Sequence, residues 1–393
     1  MEYDLKIYAD NIEPVALNQI YTLLAQPTFL GEKVRIMPDV HAGLGCVVGF
    51  TSTMKDKVIP NIIGVDIGCG MLCVELGKVD ISFPALDDFI KGHIPSGSEV
   101  RHEVLGTDLI NALYCKKSLR NMDRLEGSLG TLGGGNHFIE VDVDDKGNYY
   151  LVIHTGSRNL GLQVANIYQK MAVESCKKVA ESERVALIER LKKENRHQEI
   201  PDELKKLTDK YAYKSKIPAD LCYLDGEDME KYMHDMRICQ EFAVRNRKKI
   251  ADEIIAFLNI RKFSSFETVH NFIDDKGIIR KGAVPAHLGQ KILIPMNMRD
   301  GCLVCIGKGN EDWNCSAPHG AGRICSRSEA KKLLSVEEFQ NAMEGIYTTT
   351  ATESTLDEAP QAYKPAQSIM NLISPTAEII EVIKPVYNFK AAE

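Results

Sequence analysis

Short apolar runs punctuated by glycine dominate the first part of the chain. Four of them are rich in β-branched side chains: Val34–Met37, Gly45–Phe50, Ile62–Val65 and Met71–Val74. This pattern predicts strands joined by tight loops. Three later runs predict buried strands at Tyr149–His154, Lys291–Pro295 and Leu303–Ile306.

The middle of the chain has helical periodicity instead. Residues 163–197 and 226–258 are long, charged and periodic, which is typical of helices. Asp225 is placed to cap the second stretch, with Asp228 completing a capping box. We interpret residues 160–260 as a helical insertion.

Composition and charge limit the classes of function. The 48 Lys and Arg against 55 Asp and Glu give a net charge of −7, so any nucleic-acid contact must come from a local basic groove. No run reaches the ~18 consecutive apolar residues of a membrane span, and we expect no membrane partner. The mixed first residues are unlike an export signal. With eleven cysteines, this predicts reduced thiols and a cytoplasmic location.

Residue types that bind metals recur beside glycines and at the ends of apolar runs. Asp66 and Cys69 lie three apart between glycines. His137 and His270 adjoin Asn or Phe, and His154 is followed by Thr-Gly-Ser. At such strand ends, side chains can converge. A thiolate can bridge two divalent ions, and the mixed set suits zinc, manganese or a similar metal. The alternative is hydrogen-bonded core histidines and a small buried cysteine.

A second candidate metal site is not favoured. Cys302, Cys305, Cys315 and His319 have a spacing that resembles a zinc ligand series. Cys302 and Cys305, however, lie in or beside a predicted strand, where side chains three apart point to opposite faces. We therefore do not expect a structural zinc site here.

The residues after His319 are small, so a planar or phosphorylated ligand could approach its ring. Arg323 and Arg327 could hold phosphate oxygens. A neutral imidazole with such access is a competent nucleophile toward phosphorus. The alternative is a helix start with a capping role. Farther on, Asp357–Pro360 and Lys384–Lys390 by themselves predict an exposed turn and a solvated tail.

Taken together, these segments resemble the RtcB family of RNA ligases, and the resemblance extends nearly end to end. The matching segments follow the family's order: Met37–Gly43, Gly64–Gly70, Gly133–Glu140, His154–Arg158, Lys281–Ala283, His319–Arg323 and the end of the chain at Lys390. The resemblance implies an α+β fold, a single RtcB-like core of mixed or antiparallel sheets with flanking helices. It also implies one catalytic domain over residues 1–393, with residues 160–260 as the helical insertion.

The resemblance also implies an activity. Members of the family use GTP and manganese to join an RNA 3′-phosphate or 2′,3′-cyclic phosphate end to a 5′-hydroxyl end. His319 matches the histidine that carries GMP in the covalent intermediate. Two Mn²⁺ ions per active site are implied, one held by Asp66, Cys69 and His137 and the other by Cys69, His154 and His270.

Further residues are implied to contact the nucleotide or the RNA. The implied nucleotide-binding set is Asn136, Phe138, Glu140, Asn297, Gly320, Ala321, Gly322, Tyr363 and Lys390. The implied phosphate- or RNA-binding set is Arg158, Lys281, Arg299, Arg323 and Arg327. If Glu140 accepts hydrogen bonds from the guanine N–H groups, the protein would prefer GTP over ATP, because adenine lacks that pair of donors.

One loop departs from the family's pattern. Many relatives have Gly-Ser-Met-Gly after an Ile-Pro dipeptide, and the serine contacts the nucleotide. This chain has Met296-Asn297-Met298-Arg299 there. Asn297 is a candidate polar replacement for the serine, while Met296 and Arg299 occupy positions where glycine is usual. Arg299 either contacts a phosphate or pairs with Asp300 at the surface.

Three functions remain open from the sequence. The first is a GTP-dependent RNA ligase acting on tRNA or rRNA fragments in RNA repair or tRNA splicing, with or without an archease-like activator. The second is a metal-dependent cyclic-phosphate or phosphoester hydrolase, and the third is a non-catalytic RNA-end-binding factor. Intact His319 favours the ligase, because neither alternative requires a nucleophilic imidazole.

Overall fold

The computed structural model describes residues 3–177, 181–214 and 216–391, in which sixteen strands and twelve α-helices form. In these residues the strands β1 to β16 are Asp4–Ile7, Lys33–His41, Val48–Thr53, Lys57–Val58, Gly70–Gly77, Phe138–Val143, Tyr149–Thr155, Leu224–Asp225, Ser264–Val269, Asn271–Ile273, Ile278–Lys281, Ala283–Pro285, Lys291–Asn297, Gly301–Gly307, Ser316–Pro318 and Ala377–Lys390. The α-helices α1 to α12 are Pro14–Leu24, Pro60–Ile63, Phe83–His93, Thr107–Ala112, Met122–Glu126, Arg158–Lys177, Glu181–Lys193, Ile200–Lys214, Gly226–Phe257, Arg327–Leu333, Val336–Ala342 and Ala366–Leu372.

Two large sheets organise these elements. The seven-stranded sheet has the order β13-β14-β16-β6-β7-β5-β9 and is antiparallel throughout. The five-stranded sheet has the order β1-β2-β3-β11-β10, with one parallel pair, β1 and β2. Small two-stranded sheets join β12 to β15 and β4 to β8. The predicted α+β class with mixed or antiparallel sheets is confirmed.

Most of the predicted strands are confirmed, but the prediction at Ile62–Val65 is wrong. Residues Pro60–Ile63 form the short helix α2, and a loop follows it. Pro60 occupies the start of the helix, where its missing N–H is not needed, and Gly64 ends the helix with a φ of 90°. The helix-start proline and the helix-end glycine therefore outweigh the β-strand propensity of the isoleucines.

The predicted solvated tail is also wrong, because the C-terminal residues form β16 inside the seven-stranded sheet. There Asn388 pairs with Glu140 and Lys390 pairs with Phe138. The register shifts between Pro385 and Tyr387, which accommodates a proline inside a strand. Polar residues and proline hid this strand from an analysis of hydrophobic pattern.

Helices occupy the middle of the chain, as the periodicity predicted, although residues 178–180 and 215 lie outside the described residues. Asp225 precedes α9, but its side chain makes no capping hydrogen bond, so the predicted capping box with Asp228 is wrong. Asp225 instead has extended backbone and pairs with Lys57 between β8 and β4. Within the described ranges, no helix is long and apolar enough to cross a membrane.

Helix α9 supports the edge of the large sheet through Arg247, whose side chain is fully buried. Its guanidinium donates to the carbonyl oxygens of Gly68 at 3.0 Å and Thr155 at 2.8 Å. It also pairs with Glu267 on β9 at 2.8 Å. One residue of α9 thereby fixes the loop before β5, the end of β7 and strand β9 to that helix.

Removal of the Arg247 side chain should destabilise the fold. We expect Arg247→Ala to lower the free energy of unfolding by about 3 kcal/mol, since the carboxylate and two buried carbonyls lose their partner. Lys248→Ala, at the exposed neighbouring position on α9, should change it by less than about 0.5 kcal/mol. Urea denaturation of both variants measures the difference, and equal losses would contradict the role given to Arg247.

Candidate functional site

The five predicted metal ligands converge at one edge of the seven-stranded sheet. Asp66 and Cys69 lie in the loop before β5, His137 immediately precedes β6, His154 is near the end of β7, and His270 separates β9 from β10. Their ligand atoms form two groups, each within 4.8 Å: Asp66, Cys69 and His137, and Cys69, His154 and His270. Adjacent antiparallel strands therefore bring together residues that are far apart in sequence.

Cys69 belongs to both groups. Its Sγ lies 3.5 Å from Nε2 of His137 and 3.3 Å from Nε2 of His154. Burial, together with the charge of Asp66, raises the pKa of the Cys69 thiol well above its ordinary value. A coordinated divalent cation would favour the thiolate, because a metal ion deprotonates a thiol that binds it. The position of this sulfur fits a ligand that two ions share.

Backbone carbonyls orient two of the imidazoles. Nδ1 of His154 lies 3.0 Å from the carbonyl oxygen of Asn136, and Nδ1 of His137 lies 3.0 Å from that of Leu132. In His154, donation from Nδ1 leaves the Nε2 lone pair directed at the Cys69 thiol, the arrangement common in metal-binding histidines, while Nε2 of His137 lies 3.0 Å from Oδ2 of Asp66. Nδ1 of His270 is buried and has no hydrogen-bond partner in the described part of the chain. An orphaned imidazole nitrogen here fits a metal ligand.

The protonation states also fit metal binding. Burial lowers the pKa of His137, and it lowers those of His154 and His270 well below the ordinary value. Burial opposes ionisation of Asp66, but the hydrogen bond with His137 and the charge of Arg158 hold its pKa at about 2. The site therefore offers neutral imidazoles and a carboxylate, as metal coordination requires.

Arg158, a predicted phosphate contact, lies beside the first of these groups. Its backbone has a φ of 57°, a strained value for a residue with a side chain. Its guanidinium lies 3.1 Å from Nδ1 of His137 and so close to Gly133 that a Cβ there would clash with it. Its Nε is buried without a partner among the residues described. A charged group with an unsatisfied donor fits an anion site.

His319 lies next to the second group, with its ring centroid 4.9 Å from that of His270. It follows β15, and α10 begins only at Arg327, so the alternative of a helix start is wrong. Its Nδ1 lies 2.7 Å from Oδ2 of Asp39, and the same oxygen accepts its backbone N–H at 3.2 Å. Because Asp39 holds Nδ1, Nε2 remains free to act as a nucleophile.

Asp39 is a functional residue that the sequence analysis missed, although its segment matched the family. It is fully buried on β2, and its Oδ1 has no hydrogen-bond partner within the described ranges. Gly322, with a φ of 75°, packs on it so closely that a Cβ would lie 2.3 Å from the Asp39 carbonyl oxygen. An acid inside an otherwise buried strand is the signal that could have identified it.

A cavity of about 590 Å³ opens beside His319, a volume typical of small-molecule sites. All the predicted nucleotide-binding residues line it: Asn136, Phe138, Glu140, Asn297, Gly320, Ala321, Gly322, Tyr363 and Lys390. His154 lines it as well, so the metal groups border the same space. The structure thus brings the candidate nucleophile, the metal ligands and the nucleotide set into one site.

Glu358 organises the basic side of the cavity and was also missed. It accepts hydrogen bonds from Lys390 Nζ at 2.8 Å and from the Tyr363 hydroxyl at 2.6 Å. It also pairs with Arg323 at 3.3 Å and Arg327 at 2.9 Å. Burial favours its neutral form, but these cations hold its pKa at about 2. Its carboxylate therefore fixes three cations and a phenol that line the cavity.

The predicted exposed turn at Asp357–Pro360 is accordingly wrong. Asp357 and Glu358 are both buried. The basic residues that pair with them lie about 30 positions away along the chain, so no local pattern of charges revealed the ion pairs.

The loop that departs from the family's pattern is bonded to itself. Asn297 lines the cavity, but its Nδ2 donates to Asp300 at 2.8 Å, and its Oδ1 accepts the backbone N–H groups of Arg299 and Asp300. Arg299 pairs with Asp300 at 2.8 Å, has 48% of its side chain exposed and does not line the cavity. This geometry favours the surface pair over the phosphate contact.

Lys281 also lies apart from the cavity lining. Its Nζ donates to the carbonyl oxygens of Leu44 at 2.5 Å and Cys46 at 2.9 Å, and burial lowers its pKa. These contacts fix the loop before β3. Of the predicted phosphate contacts, only Arg323 and Arg327 line the cavity, and Arg158 lies beside the metal groups.

The thiols of Cys302 and Cys305 face different hydrophobic clusters, as expected for residues three apart on a strand. Cys302 instead lies with Glu140 and Asp142 in a third group whose ligand atoms are all within 4.8 Å. The sequence analysis did not anticipate this group, since Asp142 and Cys302 come from separate strands.

Comparison with known proteins identifies the family of the chain. The family model of the tRNA-splicing ligase RtcB matches residues 19–113 and 107–391. The chain therefore belongs to the RtcB family of RNA ligases. It is 27% identical to the RNA-splicing ligase RtcB of Escherichia coli K12, over 95% of this chain and 94% of that protein. It is 25% identical to the tRNA-splicing ligases RtcB of Aeropyrum pernix, over 91% and 88%, and Thermococcus kodakarensis, over 86% and 83%.

Loss of the shared sulfur should affect both metal groups. We expect Cys69→Ala to retain less bound Mn²⁺ than either His137→Ala or His154→Ala, because each histidine belongs to one group only. Elemental analysis after dialysis against Mn²⁺ measures the content. A bound manganese content in Cys69→Ala equal to that of the wild type would show that the sulfur does not bridge two ions.

Proposed function

We propose that this RNA ligase depends on GTP and Mn²⁺ and joins RNA 3′-phosphate or 2′,3′-cyclic phosphate ends to 5′-hydroxyl ends through a histidine–GMP intermediate on His319. The observation that carries the proposal is the position of His319. Its Nδ1 is held by buried Asp39, and its ring lies between the metal groups and the cavity. Neither a metal-dependent hydrolase nor an RNA-end-binding factor requires a nucleophilic imidazole at this position, so the free Nε2 of His319 favours the ligase.

Manganese fits the donor set. Each of the two groups that share Cys69 would hold one ion, and carboxylate, thiolate and imidazole together suit a divalent metal of intermediate hardness. Ions bound there would supply Lewis acidity toward phosphate oxygens beside His319.

The residues support a sequence of three transfers. Nε2 of His319 attacks the α-phosphorus of GTP, so that a P–N bond forms and pyrophosphate leaves as the bond to the β-phosphate oxygen breaks. Asp39 accepts from Nδ1–H and stabilises the positive charge that develops on the ring. A 2′,3′-cyclic phosphate end would first be hydrolysed to a 3′-phosphate, as water adds to phosphorus and the bond to the 2′ oxygen breaks. An oxygen of the RNA 3′-phosphate then takes the guanylyl group and the P–N bond breaks. Finally the 5′-hydroxyl oxygen attacks the 3′-phosphorus, its proton is lost, and GMP leaves.

The cavity supports GTP as the nucleotide. Glu140 is an acceptor for the guanine N–H groups, since its carboxylate lines the cavity. The cations held by Glu358, which are Arg323, Arg327 and Lys390, place positive charge around the same space. Arg158 is the candidate contact for an RNA phosphate beside the metals.

The proposal also covers the RNA partners, the cellular location and the domain organisation of the protein. Its RNA partners would be tRNA or rRNA fragments with the stated ends, and the altered loop at Met296–Arg299 favours repair over intron splicing. All eleven cysteines are free, which supports a reducing, cytoplasmic location. We also propose one catalytic domain over residues 1–393 with residues 160–260 as an insertion, since α6 and α9 pack into the same hydrophobic cluster as β2 and β3.

Labelling with GTP tests the proposal. We expect wild-type protein with Mn²⁺ and α-labelled GTP to form an adduct that is stable to base and labile to acid, because protonation weakens a phosphoramidate. His319→Ala should give no adduct, while His93→Ala, an exposed histidine on α3, should label normally. Denaturing gels followed by acid or base treatment measure the adduct.

Asp39→Asn provides a graded comparison in the same assay. Adduct formation should slow by about two orders of magnitude or more, because the amide cannot stabilise the charged ring. Metal content should be unchanged. An adduct in His319→Ala with the wild-type acid lability would overturn the assignment of the nucleophile.

A further inference from the structure

A second cluster of ionisable side chains lies behind the wall of the nucleotide cavity. Glu140, Asp142 and Cys302 are all buried, with their ligand atoms within 4.8 Å of one another. Glu140 and Asp142 share one face of β6, because side chains two apart on a strand point the same way. Glu140 lines the cavity and Asp142 does not.

The surroundings of the two carboxyl groups differ. Glu140 accepts hydrogen bonds from Nδ2 of Asn388 at 2.5 Å and from the thiol of Cys302 at 3.8 Å. The positive charge of Lys390 also favours its ionised form. Asp142 is fully buried, and no amide, hydroxyl or backbone N–H of the described residues donates to its oxygens, which leaves the Cys302 thiol as a weak donor beside it. An ionised carboxylate would therefore be stabilised at Glu140 but isolated at Asp142.

Two adjacent buried carboxyl groups cannot both be ionised without a compensating cation. Burial, and the neighbouring charge of Glu140, raise the pKa of Asp142 well above its ordinary value, while burial raises that of Glu140 to about 7. The pair therefore retains at least one proton at neutral pH. The contacts of Glu140 with Asn388 and Lys390 favour the carboxylate there, so Asp142 is the better site for that proton.

We propose that Asp142 is a positioning residue for nucleotide specificity, a neutral acid whose O–H donates to Glu140 and holds that carboxylate ionised and fixed toward the cavity. This inference rests on the proposed GTP-dependent function. Guanine presents two N–H donors on one edge, and a fixed carboxylate accepts both, whereas adenine offers no such pair. Asp142 thus acts on guanine through Glu140 without touching the nucleotide.

The test is the ratio of GTP to ATP affinity. Full-length wild type, Asp142→Asn and Asp142→Leu are titrated with a fluorescent GTP analogue in the presence of Mn²⁺, and GTP and ATP compete for the site. The asparagine amide can donate as the acid does, so Asp142→Asn should keep the ratio within about threefold. Asp142→Leu has no donor, and we expect its ratio to fall tenfold or more. Asp145→Asn, on the exposed loop after β6, is the matched control.

A second measurement does not depend on the fold of the leucine variant. The infrared difference spectrum of wild type minus Asp142→Asn at neutral pH should contain the C=O stretch of a protonated carboxyl group. Loss of only a carboxylate band would overturn the proposal. So would a third bound metal ion in wild type that Asp142→Asn loses, because a cation would then replace the proton.

The outcomes separate the inference from the function on which it rests. A wild-type preference for GTP that persists in Asp142→Leu overturns the inference alone, as does an Asp142→Asn variant that loses the preference as completely as Asp142→Leu. A wild-type protein without any preference for GTP would overturn the proposed GTP dependence and this inference together.

Discussion

The rest of the structure depends on the contacts of the buried Cys69 thiol. Its sulfur lies 3.3 Å from Nε2 of His154 and 3.5 Å from Nε2 of His137. To bring these side chains together, the fold must place β5, β7 and β9 side by side, with β6 on the far side of β7. The same burial that keeps the imidazoles neutral raises the pKa of the thiol. A divalent cation bound among these residues would favour the thiolate and accept the imidazole lone pairs, so that the buried ligands become mutually compatible.

Buried carboxyl groups with different partners give the cavity its separate roles. Asp39 contacts an imidazole and orients it, while Glu358 pairs with several cations and fixes them. Glu140 lines the cavity and accepts from the Asn388 amide and the Cys302 thiol, so its remaining acceptor capacity would serve the proposed nucleotide. In the proposed function, one residue type would thus orient a nucleophile, hold cations or select a base, according to the partners that the neighbouring strands supply.

The fold and site were predictable where the signal was local. Isolated runs such as Tyr149–His154 predicted strands, and the ligand residue types, together with the family resemblance, located the metal groups. The sequence pattern failed to predict burial and side-chain partners where residues far apart along the chain determine them. Strand β16 intersperses charged residues among apolar ones and contains Pro385, and its burial follows from the strands β14 and β6 that flank it. The partners of Asp39 and Glu358 lie too far along the chain for spacing to reveal them.

Anomalous diffraction at the manganese absorption edge, from crystals of the full-length protein grown with Mn²⁺, tests the central claim most directly. We expect two anomalous peaks per chain, both within bonding distance of the Cys69 sulfur. One peak should be completed by Asp66 and His137 and the other by His154 and His270. A single peak, or peaks that do not contact this sulfur, would contradict the account of a thiolate shared between two ions.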